Sequence, residues 1–190
     1  MDLILIRHGL PVRADDTSDP PLSELGHAQA QAVGALLQRE AIDAVCASTM
    51  RRAVQTAEPL AAALGFELAT HEGVCEYDRG AGAYIPSEEL KREDYAAWQA
   101  AVDHDLSAFG EVVAETLEAI VEAHPGRRVA VFCHGGVINA WTAHVLRMPP
   151  RLFFNPTYAS VSRFSCARTG QRSIITLNES HHLAELTAAP

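Results

Sequence analysis

Apolar and polar positions alternate along this chain of 190 residues in blocks that predict strands and helices in turn. Residues 3–6 form an apolar run that suits a buried strand and is too short for a helix, and residues 43–47 and 127–132 have the same character. Segments with apolar residues every three or four positions lie between these runs, as in amphipathic helices. Strands that alternate with such helices predict a three-layer α/β/α fold with a mostly parallel central sheet.

Residues that cap helices well mark two of the helix boundaries. Ser23 is a plausible N-cap for a helix that runs to about residue 40, and Gly65 is a good C-cap for a helix over 53–64. In the first of these helices the spacing predicts one buried stripe, which consists of Leu25, Ala28, Ala32, Val33, Leu36 and Leu37.

One long segment lacks any periodicity. Residues 71–86 mix charges, glycines and aromatic side chains, which is typical of a functional loop, and this loop could cover a pocket. Elsewhere the pattern predicts a strand over 66–70, helices over 88–102, 107–123 and 135–146, and a closing hairpin of 157–167 and 173–177 around residues 169–170.

The composition indicates one globular domain over residues 1–190. Hydrophobic residues make up 48% of the chain, which is enough for one core. The N-terminal apolar run ends at Arg7 after four residues, so we expect no signal peptide, and no stretch is long enough to span a bilayer. Four cysteines that lie far apart, without a Cys-x-x-Cys pair, predict free thiols in a reducing compartment. We therefore expect a cytoplasmic protein without a structural zinc site.

The formal charge of −9 argues against nucleic acid and anionic membranes as partners, since both bind mainly to broad basic surfaces. An acidic chain can still bind a small anion where a few arginines converge in one pocket. The sequence leaves a homodimer open. The position of each arginine therefore decides whether the chain has an anion site.

Three predicted strands end in residues that suit an anion site. Arg7 and His8 follow the first strand, Arg52 comes shortly after the second, and His134 and Gly135 follow a later one. Because the carboxyl ends of parallel strands meet at one edge of a sheet, we expect these residues to converge there. The backbone N–H of Gly135 at a helix start and two guanidinium groups would suit phosphate.

His8 has a chemical option in such a pocket that goes beyond binding. A neutral imidazole can attack phosphorus through its unprotonated nitrogen and form a phosphohistidine. The positive charges of Arg7 and Arg52 disfavour the imidazolium, so we expect His8 to stay neutral near pH 7. Glu76 is the best donor of a proton to the leaving alcohol, provided that burial raises its pKa. The alternative for His8 is a hydrogen-bonded histidine that merely closes the strand.

Taken together, these motifs resemble the histidine phosphatase superfamily, in its phosphoglycerate-mutase-like branch that includes cofactor-independent phosphatases. The resemblance covers most of the chain and consists of an ordered set: Arg-His-Gly at 7–9, the segments 22–30 and 48–57, Glu76, and the segment 133–137. It implies a mostly parallel sheet between helices and a phosphatase that needs no cofactor and no metal. It also implies that His8 is the nucleophile, that Glu76 is the proton donor, and that the phosphoryl group is bound by Arg7, Arg52 and His134.

Two departures from the family pattern bear on the substrate. Leu10 and Pro11 follow Arg-His-Gly where many members have Glu or Gln and then Thr or Ser, and the loop after Glu76 lacks the usual Trp-Glu-Gly. Because the chain is also short for a cofactor-dependent mutase, we expect hydrolysis of a small phosphorylated metabolite. Two alternatives stay open: a mutase that passes the phosphoryl group to a second hydroxyl, and a module that binds phosphate or phosphoprotein without turnover.

Several other conspicuous residues have a simpler structural interpretation. We expect no part in the chemistry from Arg13, Arg51, Cys133, His181 and His182. Trp98 and Trp141 are expected to pack helices, whereas Tyr77 and Tyr84 suit either packing or a substrate pocket.

Overall fold

The structure, a computed structural model, describes residues 1–187, so residues 188–190 at the end of the predicted domain lie outside the described residues. Its strands are β1 (Asp2–Arg7), β2 (Ala44–Ser48), β3 (Ala69–His71), β4 (Arg128–Cys133), β5 (Val161–Cys166) and β6 (Arg172–Glu179). Its helices are α1 (Glu24–Leu37), α2 (Arg51–Leu64), α3 (Ser87–Glu93), α4 (Tyr95–Val102), α5 (Ser107–Ala123), α6 (Gly135–Leu146) and α7 (Ala184–Thr187). Short 3₁₀ turns cover Glu72–Val74 and His181–Leu183.

One sheet with the strand order β3-β2-β4-β1-β5-β6 organises the fold. The first four strands in that order are parallel, whereas β5 runs antiparallel to β1 and β6 antiparallel to β5. Alternate residues of β1 point to opposite faces: Leu3 and Leu5 pack in the core under α5 and α6, and Ile4 and Ile6 pack in the core under α1 and α2. Helices on both faces of a mostly parallel sheet confirm the predicted three-layer class.

The predicted elements are found with four corrections. The strands of the closing hairpin, predicted over 157–167 and 173–177, are Val161–Cys166 and Arg172–Glu179. The strand predicted over 66–70 is only Ala69–His71, because β3 is a short edge strand that pairs with β2 alone. The helix predicted over 88–102 is divided at Asp94, whose side chain accepts a hydrogen bond from the Ala97 N–H at 2.9 Å and caps α4. Helix α1 ends at Leu37 rather than near residue 40.

The buried stripe predicted for α1 is partly wrong. Leu25 is 41% exposed, whereas Val33 and Leu37 are fully buried as expected. Gln29 takes a buried place on the helix because its side-chain oxygen accepts a hydrogen bond from the Leu10 N–H at 2.8 Å. The helix therefore uses part of its inner face to fix the loop that follows β1. Among residues 1–187, no helix is both long and apolar enough to cross a bilayer.

Candidate active site

The end of β1 places Arg7 and His8 at the carboxyl edge of the sheet. The His8 N–H donates to the carbonyl of Cys133 at the end of β4, at 2.9 Å. The next residue is glycine because the first turn of α1 lies against it: a Cβ on Gly9 would be 2.5 Å from the carbonyl oxygen of Gly26. This close approach of two backbones fixes His8 between the sheet and α1.

The hydrogen bonds of His8 define its tautomer. Nδ1 lies 2.8 Å from the carbonyl oxygen of Gly9, which can only accept, so Nδ1 carries the proton. Nε2 lies 3.2 Å from Nε of Arg52, which can only donate, so Nε2 carries no proton and its lone pair accepts this hydrogen bond. Burial, followed by the charges of Arg52 and Arg7, holds the pKa of His8 well below its ordinary value. The ring is therefore neutral near pH 7, as expected from the sequence.

Arg52 lies in the first turn of α2 and is fully buried. Its Nη1 donates to the Ser18 carbonyl at 2.7 Å, which holds the guanidinium against the loop after β1. Two carboxylates lie nearby, with Asp19 at 3.6 Å from Nη1 and Asp78 at 3.8 Å from Nη2. Both distances exceed a direct hydrogen bond, so these carboxylates do not saturate the donors of the guanidinium.

Arg7, the last residue of β1, is held by contacts with the segment before β5. Its Nη1 donates to the Pro156 carbonyl and to Oδ1 of Asn155, the latter at 3.1 Å, and its guanidinium carbon lies 3.7 Å from the centre of the Tyr158 ring. Its Nε is buried and has no hydrogen-bond partner among the described residues. An unsatisfied buried donor is costly, so this edge of Arg7 is suited to an anionic ligand.

His134 follows β4 and precedes the first residue of α6. Its ring centre lies 5.0 Å from that of His8, and its Nε2 is 2.7 Å from Oγ of Ser48 at the end of β2. Burial, with Arg52, His8 and Arg7 as further causes, holds the pKa of His134 well below its ordinary value. Its Nδ1 is buried without a hydrogen-bond partner in the described part of the chain.

Glu76 lies at the N-terminus of α6. Its Oε2 accepts a hydrogen bond from the Gly136 N–H at 3.0 Å, and its Oε1 accepts one from its neighbour Tyr77 at 3.2 Å. Burial and then the negative charge of Asp78 raise the pKa of Glu76 to about 7, against the opposing effect of these N–H donors. A large fraction of this carboxyl group is therefore protonated at neutral pH, which suits a general acid.

The two glycines at the start of α6 give a matched test of the position of Glu76. A Cβ on Gly136 would lie 2.1 Å from Oε1 of Glu76 and 2.9 Å from the Tyr77 ring, whereas a Cβ on Gly135 would meet nothing closer than 3.8 Å. We expect Gly136→Ala to push the flexible carboxyl group aside and lower kcat/KM for an alkyl phosphate at least about tenfold. Gly135→Ala keeps its N–H and leaves room for the carboxyl group of Glu76, so it should lose clearly less activity than Gly136→Ala. Similar activities of the two variants would contradict this placement of Glu76.

Two tyrosines, Tyr84 and Tyr158, lie beside the guanidinium groups of Arg7 and Arg52. The sequence analysis did not identify them as a pair. The hydroxyl groups of Tyr84 and Tyr158 are 3.1 Å apart and both side chains are buried. The Tyr158 ring lies under Arg7, and the Tyr84 ring lies 5.0 Å from the guanidinium carbon of Arg52. The pair therefore supports both guanidinium groups through cation–π contacts. The sequence left Tyr84 open, and it gave no signal for Tyr158, Asn155 or Asp78.

Two cavities open from this cluster. The smaller, of 210 Å³, is lined by Arg7, His8, Arg52 and Glu76. The larger, of 430 Å³, also has Arg7 and Glu76 in its wall, together with Gly135 and Gly136, and extends under α3 and α4. The first cavity has the positive charge that a phosphoryl group requires, and the second has room for the rest of a small molecule.

The residues given a simple structural interpretation lie outside the cluster, with one correction. Arg51 is exposed, Arg13 pairs with Glu93 at 2.8 Å, and Cys133 and Trp141 are fully buried. Trp98 was expected only to pack helices, but it is half-buried and lines both cavities. Its Nε1 donates to Oγ of Ser87, which turns the ring toward the site. Within residues 1–187, no cluster of three His, Cys, Asp or Glu side chains could hold a metal ion.

Comparison with known proteins gives the family. The sequence model of the histidine phosphatase superfamily (branch 1) matches residues 3–179. The chain is 29% identical to phosphoglycerate mutase-like protein 4 of Arabidopsis thaliana, over 73% of this chain and 68% of that protein. It is 28% identical to phosphoserine phosphatase 1 of Hydrogenobacter thermophilus, over 96% of this chain and 94% of that protein.

A solved structure with the same fold is that of a mycobacterial glucosyl-3-phosphoglycerate phosphatase. It has a TM-score of 0.80 and 21% sequence identity, and the match covers 94% of this chain and 99% of the mycobacterial one. The family match extends over nearly the whole chain and includes all residues of the strands described above except Asp2. The chain therefore belongs to branch 1 of the histidine phosphatase superfamily.

Proposed function

We propose that this protein is a metal-independent phosphomonoesterase that hydrolyses a small phosphorylated metabolite through a phosphohistidine on His8. The observation that carries the proposal is the state of His8, a neutral ring whose unprotonated Nε2 lies 3.2 Å from Nε of Arg52 and whose pKa is lowered by burial and by the charges of Arg52 and Arg7. A nucleophile without a proton beside fixed positive charge is what attack on a phosphate dianion requires. The phosphatase named among its relatives supports a small phosphorylated metabolite as the substrate.

Substrate binding begins with the cations. Phosphoryl oxygens accept hydrogen bonds from Arg7, Arg52 and His134, and from the Gly135 N–H at the positive end of α6. In the unliganded site the Nε–H of Arg52 occupies the lone pair of His8. A bound phosphoryl oxygen competes for that donor, so binding frees the nucleophile at the moment when phosphorus arrives.

The first chemical step transfers the phosphoryl group to His8. A P–N bond forms at Nε2 while the bond between phosphorus and the ester oxygen breaks, and Glu76 gives its proton to that oxygen. Water then attacks phosphorus, Glu76 accepts the water proton, and the P–N bond breaks to release inorganic phosphate. The same carboxyl group thus serves as acid and then as base, and the enzyme returns to its starting state.

Glu76→Gln tests the acid role through the leaving group and the pH. We expect kcat/KM for an alkyl phosphate to fall about a hundredfold or more, because an alkoxide needs the proton, and kcat/KM for p-nitrophenyl phosphate to fall less than about fivefold. In the wild type, kcat/KM for the alkyl ester should decline as the pH rises through about 7, where Glu76 loses its proton. The variant should lack this decline.

The wild type and Glu76→Gln are measured on the same ester, so ionisation of the substrate affects both pH profiles equally. Asp16→Asn, an exposed carboxylate outside the site, provides the control for a lost charge and should match the wild type. Equal losses on both esters, or an unchanged pH profile in Glu76→Gln, would remove Glu76 from the acid role.

A mutase is the second candidate, because one relative is named phosphoglycerate mutase-like. The two functions share the nucleophile and differ in whether water or a second hydroxyl group accepts the phosphoryl group.

With excess EDTA, a phosphatase should release p-nitrophenol and inorganic phosphate from p-nitrophenyl phosphate in equal amounts. Isomerisation of a phosphorylated metabolite without phosphate release would favour the mutase, and phosphate binding without turnover would favour a binding module. Activity that EDTA abolishes and a metal restores would contradict metal independence.

A further inference from the structure

The larger cavity is continuous with the site of the proposed chemistry. Arg7 and Glu76 line both cavities, so a phosphoryl group beside His8 directs its ester oxygen toward Glu76 and the 430 Å³ space. The alcohol part of the substrate therefore occupies this space. The walls of the cavity then determine which alcohols fit.

Apolar atoms make up most of the surface of these walls, and aromatic and aliphatic side chains contribute many of them. Three parts of the chain supply these side chains: the residue after Glu76, helix α4, and the segment 152–154. The side chains are Tyr77, Trp98, Val102, Leu152, Phe153 and Phe154. Aromatic and aliphatic walls of this kind favour apolar ligands, because contact with them removes apolar surface from water.

The two asparagine side chains of the cavity are already engaged within the protein. Asn139 donates from Nδ2 to the carbonyls of Gly135 and Phe154, both at 2.9 Å, and its Oδ1 accepts from the N–H groups of Phe153 and Phe154. Oδ1 of Asn155 accepts from Arg7. A polyhydroxylated alcohol would give up hydrogen bonds to water here and find few replacements, which is unfavourable.

Ser87 and the two charged residues of α3 that line the cavity, Glu88 and Lys91, do not change this conclusion. Oγ of Ser87 accepts from Nε1 of Trp98 at 3.1 Å, and Oε1 of Glu88 accepts from Nδ2 of Asn155 at 2.8 Å. Lys91 lies one turn after Glu88 and places its ammonium group 4.5 Å from the Trp98 ring centre. Because the two charges have opposite sign and line the same cavity, an anionic alcohol meets repulsion as well as attraction.

We propose that the preferred substrates are phosphate esters of apolar alcohols, aromatic ones above all, with the apolar group against Trp98 and Phe153. This inference rests on the proposed phosphomonoesterase function and assigns the class of its substrate. The substrate class inferred for this chain differs from phosphoserine and glucosyl-3-phosphoglycerate, the compounds in the names of two similar proteins, because the alcohol parts of both compounds are polar.

The test compares two alkyl esters whose leaving groups have similar reactivity. Wild-type protein should hydrolyse 2-phenylethyl phosphate with a kcat/KM at least about tenfold above that for glycerol 3-phosphate. Trp98→Ala should lower kcat/KM for 2-phenylethyl phosphate at least about tenfold, mainly through KM, and change that for glycerol 3-phosphate less than about threefold. Trp98→Phe, which keeps an aromatic ring, should recover most of the loss.

Gln99→Ala is the matched control, because Gln99 is the exposed neighbour of Trp98 on α4 and is absent from the cavity walls. It should leave both esters unaffected. A wild-type preference for glycerol 3-phosphate, phosphoserine or 3-phosphoglycerate, or equal losses on both esters in Trp98→Ala, would overturn the inference while turnover of p-nitrophenyl phosphate upholds the proposed function. Absence of turnover on every ester, p-nitrophenyl phosphate included, would overturn both.

Discussion

Replacement of His8 by alanine is expected to lower kcat for p-nitrophenyl phosphate by more than about a thousandfold, because the covalent route through Nε2 is then lost. The change should leave the fold intact. His8 contributes its ring to the wall of the smaller cavity, whereas the strand before it is held by Leu3, Ile4, Leu5 and Ile6 in the two cores. Circular dichroism and thermal unfolding would verify the fold.

His27→Ala is the control for this experiment, since His27 is an exposed residue of α1. Its activity should match that of the wild type. A folded His8→Ala protein that retains activity within about tenfold of the wild type would show that phosphoryl transfer does not pass through this ring.

Arg52→Met is expected to have the second large effect. The guanidinium is fully buried, donates to Nε2 of His8, and is the nearest positive charge to the carboxylates of Asp19 and Asp78. Its removal leaves these two negative charges beside the phosphoryl site, so phosphate binding loses an attraction and meets a repulsion. We expect kcat/KM for p-nitrophenyl phosphate to fall more than about a thousandfold, with a raised KM.

The adjacent residue on α2 provides a close control. Arg51 is exposed, so Arg51→Met removes the same charge from the chain without touching the pocket. Its kcat/KM should remain within about threefold of the wild type. Comparable losses in the two variants would indicate that net charge, rather than the contacts of Arg52, governs activity.

The fold could be predicted where a local pattern reports burial. The run at residues 3–6 is apolar at every position because both faces of β1 are covered by helices. Gly65 ends α2 in the left-handed conformation, as its capping role predicts. By contrast, the division at Asp94 was missed because the residues around it are strong helix formers. The buried position of Gln29 was missed because its hydrogen-bond partner, Leu10, lies before the helix on a separate segment.

The convergence of the candidate site could also be predicted, but only in part. Arg7 ends β1, His8 and His134 directly follow strands, and Arg52 lies in the first turn of α2. Strand order therefore brings them together. Tyr158 and Asn155 have no motif of their own, and their contacts with Arg7 join residues about 150 positions apart. Such pairings depend on how segments pack in three dimensions, which periodicity and local motifs do not report.

The protonation of Glu76 could also be predicted only in part from the sequence. In the sequence analysis, the acid role of Glu76 depends on burial of its carboxyl group. The sequence could not show whether that group is buried, because the loop lacks a regular pattern. In the structure the carboxyl group lies against Gly136 with Asp78 nearby, and burial together with that negative charge raises its pKa. A residue type can be chosen from the sequence, whereas its protonation depends on neighbours brought close by folding.

The central claim is that phosphoryl transfer passes through Nε2 of His8. The most direct measurement is rapid chemical quenching with phosphorus-32-labelled p-nitrophenyl phosphate, followed by mapping of the label on the denatured chain. We predict about one acid-labile, alkali-stable phosphoryl group per chain, on the peptide that contains His8, and none in His8→Ala. Label on another residue, or rapid turnover without labelled protein at any quench time, would contradict the mechanism.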